Sequence, residues 1–429
     1  MIFDRLTENE KVYWLNYLTK MEAFYQRRVD KNSNPTSAGK SPRKQYLLYE
    51  ANLFHKNVYQ KIKTDLYPHV SKTALTTPEI LDYSYDGANA FSFGYLIRDW
   101  SPNSEYNQYR IIHNFLEGRL EELGIKPEKR ALFLGCGTGR YAVDLAHRYE
   151  QVDAFDASLF MIWSINYLKQ VQQWEVLEPV QKNCRKIEDT VRRVQLEMTP
   201  EQASTIQSKV NFFVAEASNI PLEAEQVNHI YSIYFTDVLP LKVLFEELNR
   251  LLAVEGLFVH FGPLEYFFDD EDEMLSAEEV RLFFEAQGYT ILADEFLPTR
   301  HLFNPQSMRY RVYDNWFFVA QKGAVSLTPA LQLSNVLCLN NALKLEAQPM
   351  IEAGKCAAVN YTAALGEKSY HLPEIIYELL LQMDAHKSLE QLLQDFELVD
   401  LVEEDRQQLL AILQELLEGK FIEITHTSN

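Results

Sequence analysis

The chain has 429 residues, more than one ordinary domain holds, and its 47% hydrophobic and 24% charged residues are enough for a sizeable core. A formal net charge of −20 excludes sequence-independent nucleic-acid binding, which depends on Lys and Arg meeting phosphates. The cysteines Cys136, Cys184, Cys338 and Cys356 show no metal-ligand spacing, no apolar run is long enough to span a membrane, and no signal peptide opens the chain. The expectation is a soluble, cytoplasmic protein with no metal, no nucleic-acid partner and no membrane partner. Residues 1–95 read as an N-terminal helical region. Trp14, Tyr17, Leu18, Met21 and Tyr25 recur at helical spacing and read as core. Pro35, Gly39 and Pro42 predict a mobile loop over 30–43, before a second helix over 44–66.

The segment 95–101 carries an Arg-Asp-Trp triplet, Arg98 to Trp100, which on spacing alone reads equally as a salt-bridged joint or a functional segment. From 130 to 156 the chain reads strand, glycine turn, helix, strand, acid. Ala131, Leu132, Phe133 and Leu134 form the apolar run of a strand buried on both faces. Gly135, Gly137 and Gly139 follow at alternate positions, and without Cβ atoms the backbone can turn sharply and approach a ligand. The helix behind them starts with unpaired N–H groups. Val152, Ala154 and Phe155 make the next strand, and Asp156 at its end is placed to accept both hydroxyls of a ribose. The turn alone would be an ordinary strand-to-helix connection. The whole series points to a nucleoside or nucleotide, and the glycine spacing departs from the G-x-G-x-x-G that cradles a pyrophosphate.

Further on, Ser158 reads as a helix cap and 169–209 as a charged, helical insertion. Asn211, Phe212, Phe213 and Val214 form a strand. Another strand leads through Tyr234 to Asp237, at the kind of strand end where open α/β sheets bind ligands. Asp237 also reads as a helix cap before Leu239 and Pro240, and Tyr234 as an ordinary core tyrosine. A helix over 241–253 and a strand over 257–261 follow. The acidic run 269–273 is a solvated loop or an attractor for a basic substrate. Ser276 opens a helix, Gly288 ends it, and 289–296 and 314–320 read as strands. A linker over 322–328 leads to strand-like alternation over 331–359. Three helices follow over 372–384, 389–396 and 404–418, with Gly419 as cap and a short strand at 421–424.

The run from Gly135 to Arg140 resembles motif I of the class I S-adenosylmethionine-dependent methyltransferases. The segment Glu216-Ala217-Ser218-Asn219-Ile220-Pro221 is similar to that family's acid-Ala-x-x-Leu-Pro segment. The resemblance implies an α/β fold with a Rossmann-like class I methyltransferase sheet and S-adenosylmethionine as cofactor. It puts Gly135, Gly137, Gly139, Asp156, Ala157 and Tyr234 at the cofactor, with Glu216 and Ala217 at its adenine.

More narrowly, four segments resemble the carnosine N-methyltransferases, which methylate an imidazole nitrogen of histidine. These are Arg98 to Ser101, the helix start carrying Ser158, Met161, Ser164 and Asn166, the Gly-Pro-Leu-x-Tyr of Gly262 to Tyr266, and Ser307 to Tyr313. That resemblance, over about 90–322, implies that Arg98 pairs with the cofactor carboxylate and that Asp237 is the catalytic residue holding the substrate imidazole. It implies Tyr266, Phe267, Tyr310, Arg311 and Tyr313 as further substrate contacts. Phe267 stands where the family has a histidine and Arg311 where it has a tyrosine, so the acceptor stays open. The tail resembles a winged-helix module, or the PqqD-like domains that bind leader peptides of ribosomally made peptides. Its many Glu and Asp residues disfavour DNA and favour a peptide or a second copy of the chain.

The reading has three parts: helical region 1–95, methyltransferase domain 96–325 and winged-helix or PqqD-like domain 326–429. The expected function is S-adenosylmethionine-dependent N-methylation of a histidine in a dipeptide or peptide, recruited through a leader at the C-terminal domain. The alternatives are a methyltransferase-fold scaffold without turnover and a methyltransferase for a non-histidine small molecule.

Overall fold

The computed structural model describes residues 2–33, 41–71, 92–103, 108–180, 182–323, 331, 333, 335–352, 355–366, 368–396, 398, 401 and 403–424. Residues 34–40 of the expected loop and 324–328 of the expected linker lie outside the described residues. The chain divides into two compact units, 1–324 and 325–429.

The first unit opens with α1 (Glu8–Ser33) and α2 (Pro42–Leu66), which pack on one another. Both are longer than the sequence suggests. Ser41 accepts the Lys44 N–H at 3.2 Å, and Pro42 suits a first turn because it needs no donor there. Trp14, Leu18 and Tyr59 are buried in the same core as Phe133 and Val152 of the sheet that follows.

Next come α3 (Ser92–Trp100), α4 (Gln108–Glu122), β1 (Glu128–Leu134), α5 (Arg140–Leu145), β2 (Tyr149–Asp156) and α6 (Leu159–Val171). The chain continues with β3 (Gln173–Pro179), β4 (Val191–Glu197), α7 (Pro200–Ser208), β5 (Val210–Val214), β6 (Val227–Ile233) and α8 (Leu241–Leu251). The unit ends with β7 (Leu252–Gly262), α9 (Ala277–Ala286), β8 (Tyr289–His301) and β9 (Arg311–Lys322). Seven strands make one sheet in the order β5-β2-β1-β6-β7-β9-β8, with β1 parallel to β2 and β6 and with β9 antiparallel to both neighbours. This is the α/β methyltransferase sheet expected from the sequence. Ala131 and Phe133 of β1 enter the core on one face, Leu132 and Leu134 the core on the other, as alternation along a strand requires. Strand order reverses at β1, so a crevice opens above the C-terminal ends of β1, β2 and β6.

The expected helical insertion at 169–209 is corrected: β3 and β4 form an antiparallel hairpin, and among the described residues of that span α-helix is confined to the end of α6 and to α7. Trp174 and Val176 are buried beside exposed Glu175, and Val194 and Leu196 beside exposed Arg193, Gln195 and Glu197. That period of two is a strand signal, and the many charged residues obscured it.

The second unit contains β10 (Val336–Leu339), β11 (Lys344–Glu352), β12 (Lys355–Leu365), β13 (Lys368–Leu372), α10 (Glu374–Leu381), β14 (Asp384–Ser388), α11 (Leu389–Asp395), α12 (Glu403–Glu418) and β15 (Ile422–Ile424). β11, β12 and β13 form an antiparallel meander, while β10 pairs with β14 and β15. Ile376, Leu379, Leu392 and Leu413 from the helices are buried with Leu337 and Ile422. The left-handed residue after α12 is Lys420 rather than the expected Gly419. Among the described residues no helix is long and apolar enough to cross a membrane, and no group of three or more His, Cys, Asp or Glu could hold a metal ion.

Candidate active site

The glycine turn leaves β1 with Gly135, Gly137 and Gly139 all left-handed, at φ of 46, 54 and 70°. A Cβ on Gly135 would lie 2.0 Å from Phe235, and one on Gly139 would lie 2.5 Å from Phe212. A Cβ on Gly137 would meet nothing within 4 Å, so that backbone stands open to a ligand. The Gly137 N–H donates to Asp156 Oδ2 at 2.9 Å and the Ser158 N–H donates to Oδ1 at 2.8 Å. Asp156 thus ties the turn to the end of β2, and each oxygen keeps a lone pair for a hydroxyl. Burial pushes its carboxyl up to about 6 against those two bonds. Ser158 does stand at the N-cap of α6, but its Oγ makes no cap bond. The residue contributes its backbone N–H to Asp156 instead.

Beside Asp156, a small cavity is lined by Ala157, Val214, Ala215 and Glu216, and also by Glu10, Tyr13 and Trp14 of α1. Partial burial, and then Glu10, push the Glu216 carboxyl up. Ala217 is buried behind Glu216.

The Arg-Asp-Trp triplet forms the last turn of α3. Arg98 donates from Nε to Asp99 Oδ1 at 2.5 Å and from Nη2 to Oδ2 at 2.8 Å, while its Nη1 is buried with no hydrogen-bond partner among the described residues. Tyr95, Tyr141 and Tyr234 surround the guanidinium at 5.1, 5.9 and 5.5 Å. Thr138 Oγ1 donates to Asp99, and Trp100 Nε1 donates to the Thr138 carbonyl at 3.0 Å, so the triplet is anchored on the glycine turn. The expected S-adenosylmethionine fits these residues. An open Gly137, a ribose acceptor at Asp156 and an orphaned guanidinium nitrogen match its backbone-facing, ribose and carboxylate ends.

The other end of the crevice is built around Asp237, only 2% exposed; the strand expected through Tyr234 to Asp237 ends at Ile233, and Asp237 stands in the turn that follows β6. Its Oδ2 accepts the Glu265 N–H at 2.9 Å, and its Oδ1 is buried with no partner among the described residues. It does not cap α8, whose N-cap is Pro240. Burial, opposed by the Glu265 N–H, pushes the Asp237 carboxyl up to about 6. The Glu265 side chain accepts from Arg311 Nη1 at 3.2 Å and from the Tyr313 hydroxyl, so Arg311 is one member of an ion pair there. Tyr234 holds a left-handed φ of 58°, which is strained for an aromatic residue, and its N–H donates to the Phe261 carbonyl at 2.8 Å.

The other three expected substrate residues are held as follows. Tyr266 donates its hydroxyl to the Leu275 carbonyl at 2.5 Å. Phe267 gives its N–H to the Asp237 carbonyl at 3.0 Å while its side chain is 71% exposed. Tyr310 is exposed and packs with Phe303 and Arg300.

Two residues in the crevice had no signal in the sequence. The His301 ring packs tilted at 4.7 Å from Tyr313 and 5.3 Å from Tyr234, with Nδ1 buried and no partner among the described residues. Burial, then the charges of Arg98 and Arg311, push it down to about 3, so it stays neutral. Tyr95, whose hydroxyl burial pushes up, has its ring 5.1 Å from the Arg98 guanidinium and 6.1 Å from the His301 ring, and so touches both ends of the crevice.

A family model described as carnosine N-methyltransferase matches residues 89–324, more than half of the chain. No curated protein matches. Among solved structures, a methyltransferase from Aquifex aeolicus is similar at 19% identity, covering 48% of this chain and 88% of its own, with a TM-score of 0.30. A protein from Pyrococcus horikoshii is similar at 17% identity, covering 54% of this chain and 98% of its own, with a TM-score of 0.35.

Proposed function

The chain belongs to the carnosine N-methyltransferase family and takes its methyl group from S-adenosylmethionine, and we propose that the acceptor is an imidazole nitrogen of a histidine in a dipeptide or peptide. The observation that carries this reading is the buried, unpartnered Oδ1 of Asp237 in the turn that follows β6. The bound cofactor supplies a methyl group on a sulfonium, an excellent leaving group. The protein then has mainly to align a nucleophile behind that methyl and keep the site ordered.

Arg98 would receive the cofactor carboxylate on Nη1 and Asp156 the ribose hydroxyls. A neutral imidazole near pH 7 attacks through the lone pair of one nitrogen. Asp237 Oδ1 accepts the N–H of the other nitrogen, which fixes the tautomer and the ring direction. Transfer of the methyl group would leave the ring positively charged, and the Asp237 carboxylate would stabilise that charge and accept the N–H proton. His301, held neutral by burial and by its two arginine neighbours, adds no repulsive charge beside that cation. Tyr313 offers a ring face at the same end of the crevice.

What favours a peptide acceptor is the resemblance, in sequence, of the C-terminal tail to small leader-peptide-binding modules. The test is mass spectrometry of carnosine and a panel of histidine-containing peptides after incubation with S-adenosylmethionine. One methyl group on a histidine supports the reading. Methylation of another residue type, with histidine untouched, overturns the acceptor.

A further inference from the structure

The cavity bounded by Ala157, Val214, Ala215 and Glu216 has aromatic and acidic walls from a part of the chain outside the family match. Glu10, Tyr13 and Trp14 of α1 line it, and they precede the matched residues 89–324. We propose that α1 is part of the cofactor site: Glu10 and Glu216 together accept the two N–H bonds of the adenine 6-amino group, and Tyr13 and Trp14 pack beside the base. The inference rests on S-adenosylmethionine being the ligand.

Three observations support it. Trp14 is only 8% exposed and meets Tyr13 edge-to-face at 5.3 Å, so the aromatic wall belongs to the core rather than to a loose surface. The Glu10 carboxylate is positioned by the start of its own helix: its Oε2 accepts the Thr7 N–H and hydroxyl, each at 2.7 Å, and the Glu10 N–H donates to Thr7 Oγ1 at 3.2 Å. This reciprocal pairing at a helix start holds the side chain in place. Finally, Glu216 feels Glu10 as a like charge, so the two carboxylates face the same small space. Two acceptors around one cavity repel each other unless a donor lies between them. An exocyclic amine has two N–H bonds to give, whereas the 6-oxo group of hypoxanthine brings only lone pairs. The pocket therefore selects 6-aminopurine.

The experiment is calorimetry on the full chain with two probes, S-adenosylhomocysteine and its 6-oxo analogue S-inosylhomocysteine. The wild type should bind the adenosyl compound about a hundredfold more tightly, since the 6-oxo group forfeits two hydrogen bonds to charged acceptors. Glu10→Gln retains the helix-start pairing but replaces one acceptor by a group that also donates. It should weaken the adenosyl compound about tenfold and narrow the preference between the two probes. Glu216→Gln should act in the same direction, and Trp14→Phe should change both affinities alike. Wild-type affinities in Glu10→Gln, with binding otherwise intact, would overturn the inference while leaving the cofactor assignment standing. A wild type that binds neither probe would overturn the cofactor assignment itself, and the inference with it.

Discussion

Glu265 holds Asp237 with its main chain and the β8–β9 hairpin with its side chain. Its N–H donates to Asp237 Oδ2 at 2.9 Å, while its carboxylate accepts from Arg311 and Tyr313. The second oxygen of Asp237 is thereby left pointing at no protein group, buried and ready for an incoming N–H.

Asp237→Asn can keep the Glu265 bond through its amide oxygen, but it presents N–H groups where an acceptor is needed. Turnover is expected to fall by about 10²–10⁴-fold, the range for losing a positioned proton acceptor. Calorimetry should find S-adenosylmethionine affinity nearly unchanged. A parallel loss of cofactor affinity would instead place Asp237 in the cofactor site.

Catalysis should require Asp237 in its ionised form, and burial holds that carboxyl at about 6. Free imidazole also loses its proton near about 6.5. The rate kcat/KM is therefore expected to rise with pH through about 6 and level off above about 7.5. Residual activity in Asp237→Asn should follow only the titration of the acceptor. A profile that falls over the same range would contradict the assignment.

The same carboxyl has the opposite effect on stability. Its folded value lies above its ordinary 3.8, so its contribution is present in full at pH below that value and is lost as pH rises through about 6. Ionising it inside the fold costs on the order of 3 kcal/mol. Asp237→Asn should raise Tm above pH of about 7 and give no gain near pH 4, as differential scanning calorimetry across pH would read.

The Arg98–Asp99 pair separates binding from folding. Arg98→Lys cannot both span Asp99 and present a third donor, so S-adenosylmethionine affinity should fall tenfold or more, about 1.4 kcal/mol at least. Asp99→Ala strands a guanidinium that is only 7% exposed. It should cost about 3–5 kcal/mol in urea unfolding, as breaking a buried pair does.

The three glycines of the turn should not be equivalent. Gly137→Ala meets no neighbour within 4 Å and carries only the left-handed penalty of about 1–2 kcal/mol. Gly135→Ala adds a contact of 2.0 Å with Phe235 and should destabilise further. Equal unfolding midpoints for the two variants would mean that Phe235 swings away freely.

The parts of this molecule legible in the sequence are those set by neighbours along the chain. The turn of Gly135 to Gly139 and the acid that ends β2 at Asp156 announce themselves locally, because sharp turns and strand ends need particular residue types, whereas β6 stops at Ile233, short of the strand end expected at Asp237. What stayed hidden depends on distant pairing. His301 reaches Tyr313 only through the β8–β9 register, in which His301 pairs with Arg311 across a long connection that sequence does not align. Glu10 and Trp14 reach the cofactor end because α1 packs on the sheet's core, which helical spacing alone cannot direct. The β3–β4 hairpin was obscured because charged residues on its open face resemble a solvated helix.

The three-way grip of Glu265 also bears on how acceptor preference could be re-engineered. Exchanging Arg311 singly for the residue of a relative would leave Glu265 with an altered set of partners and disturb the Asp237 it supports. A graft that carries 262–268 together with 301–313 would transplant both sides of the contact at once. Stepwise change at this contact would therefore have to pass through compensated pairs, with both sides inherited as a block.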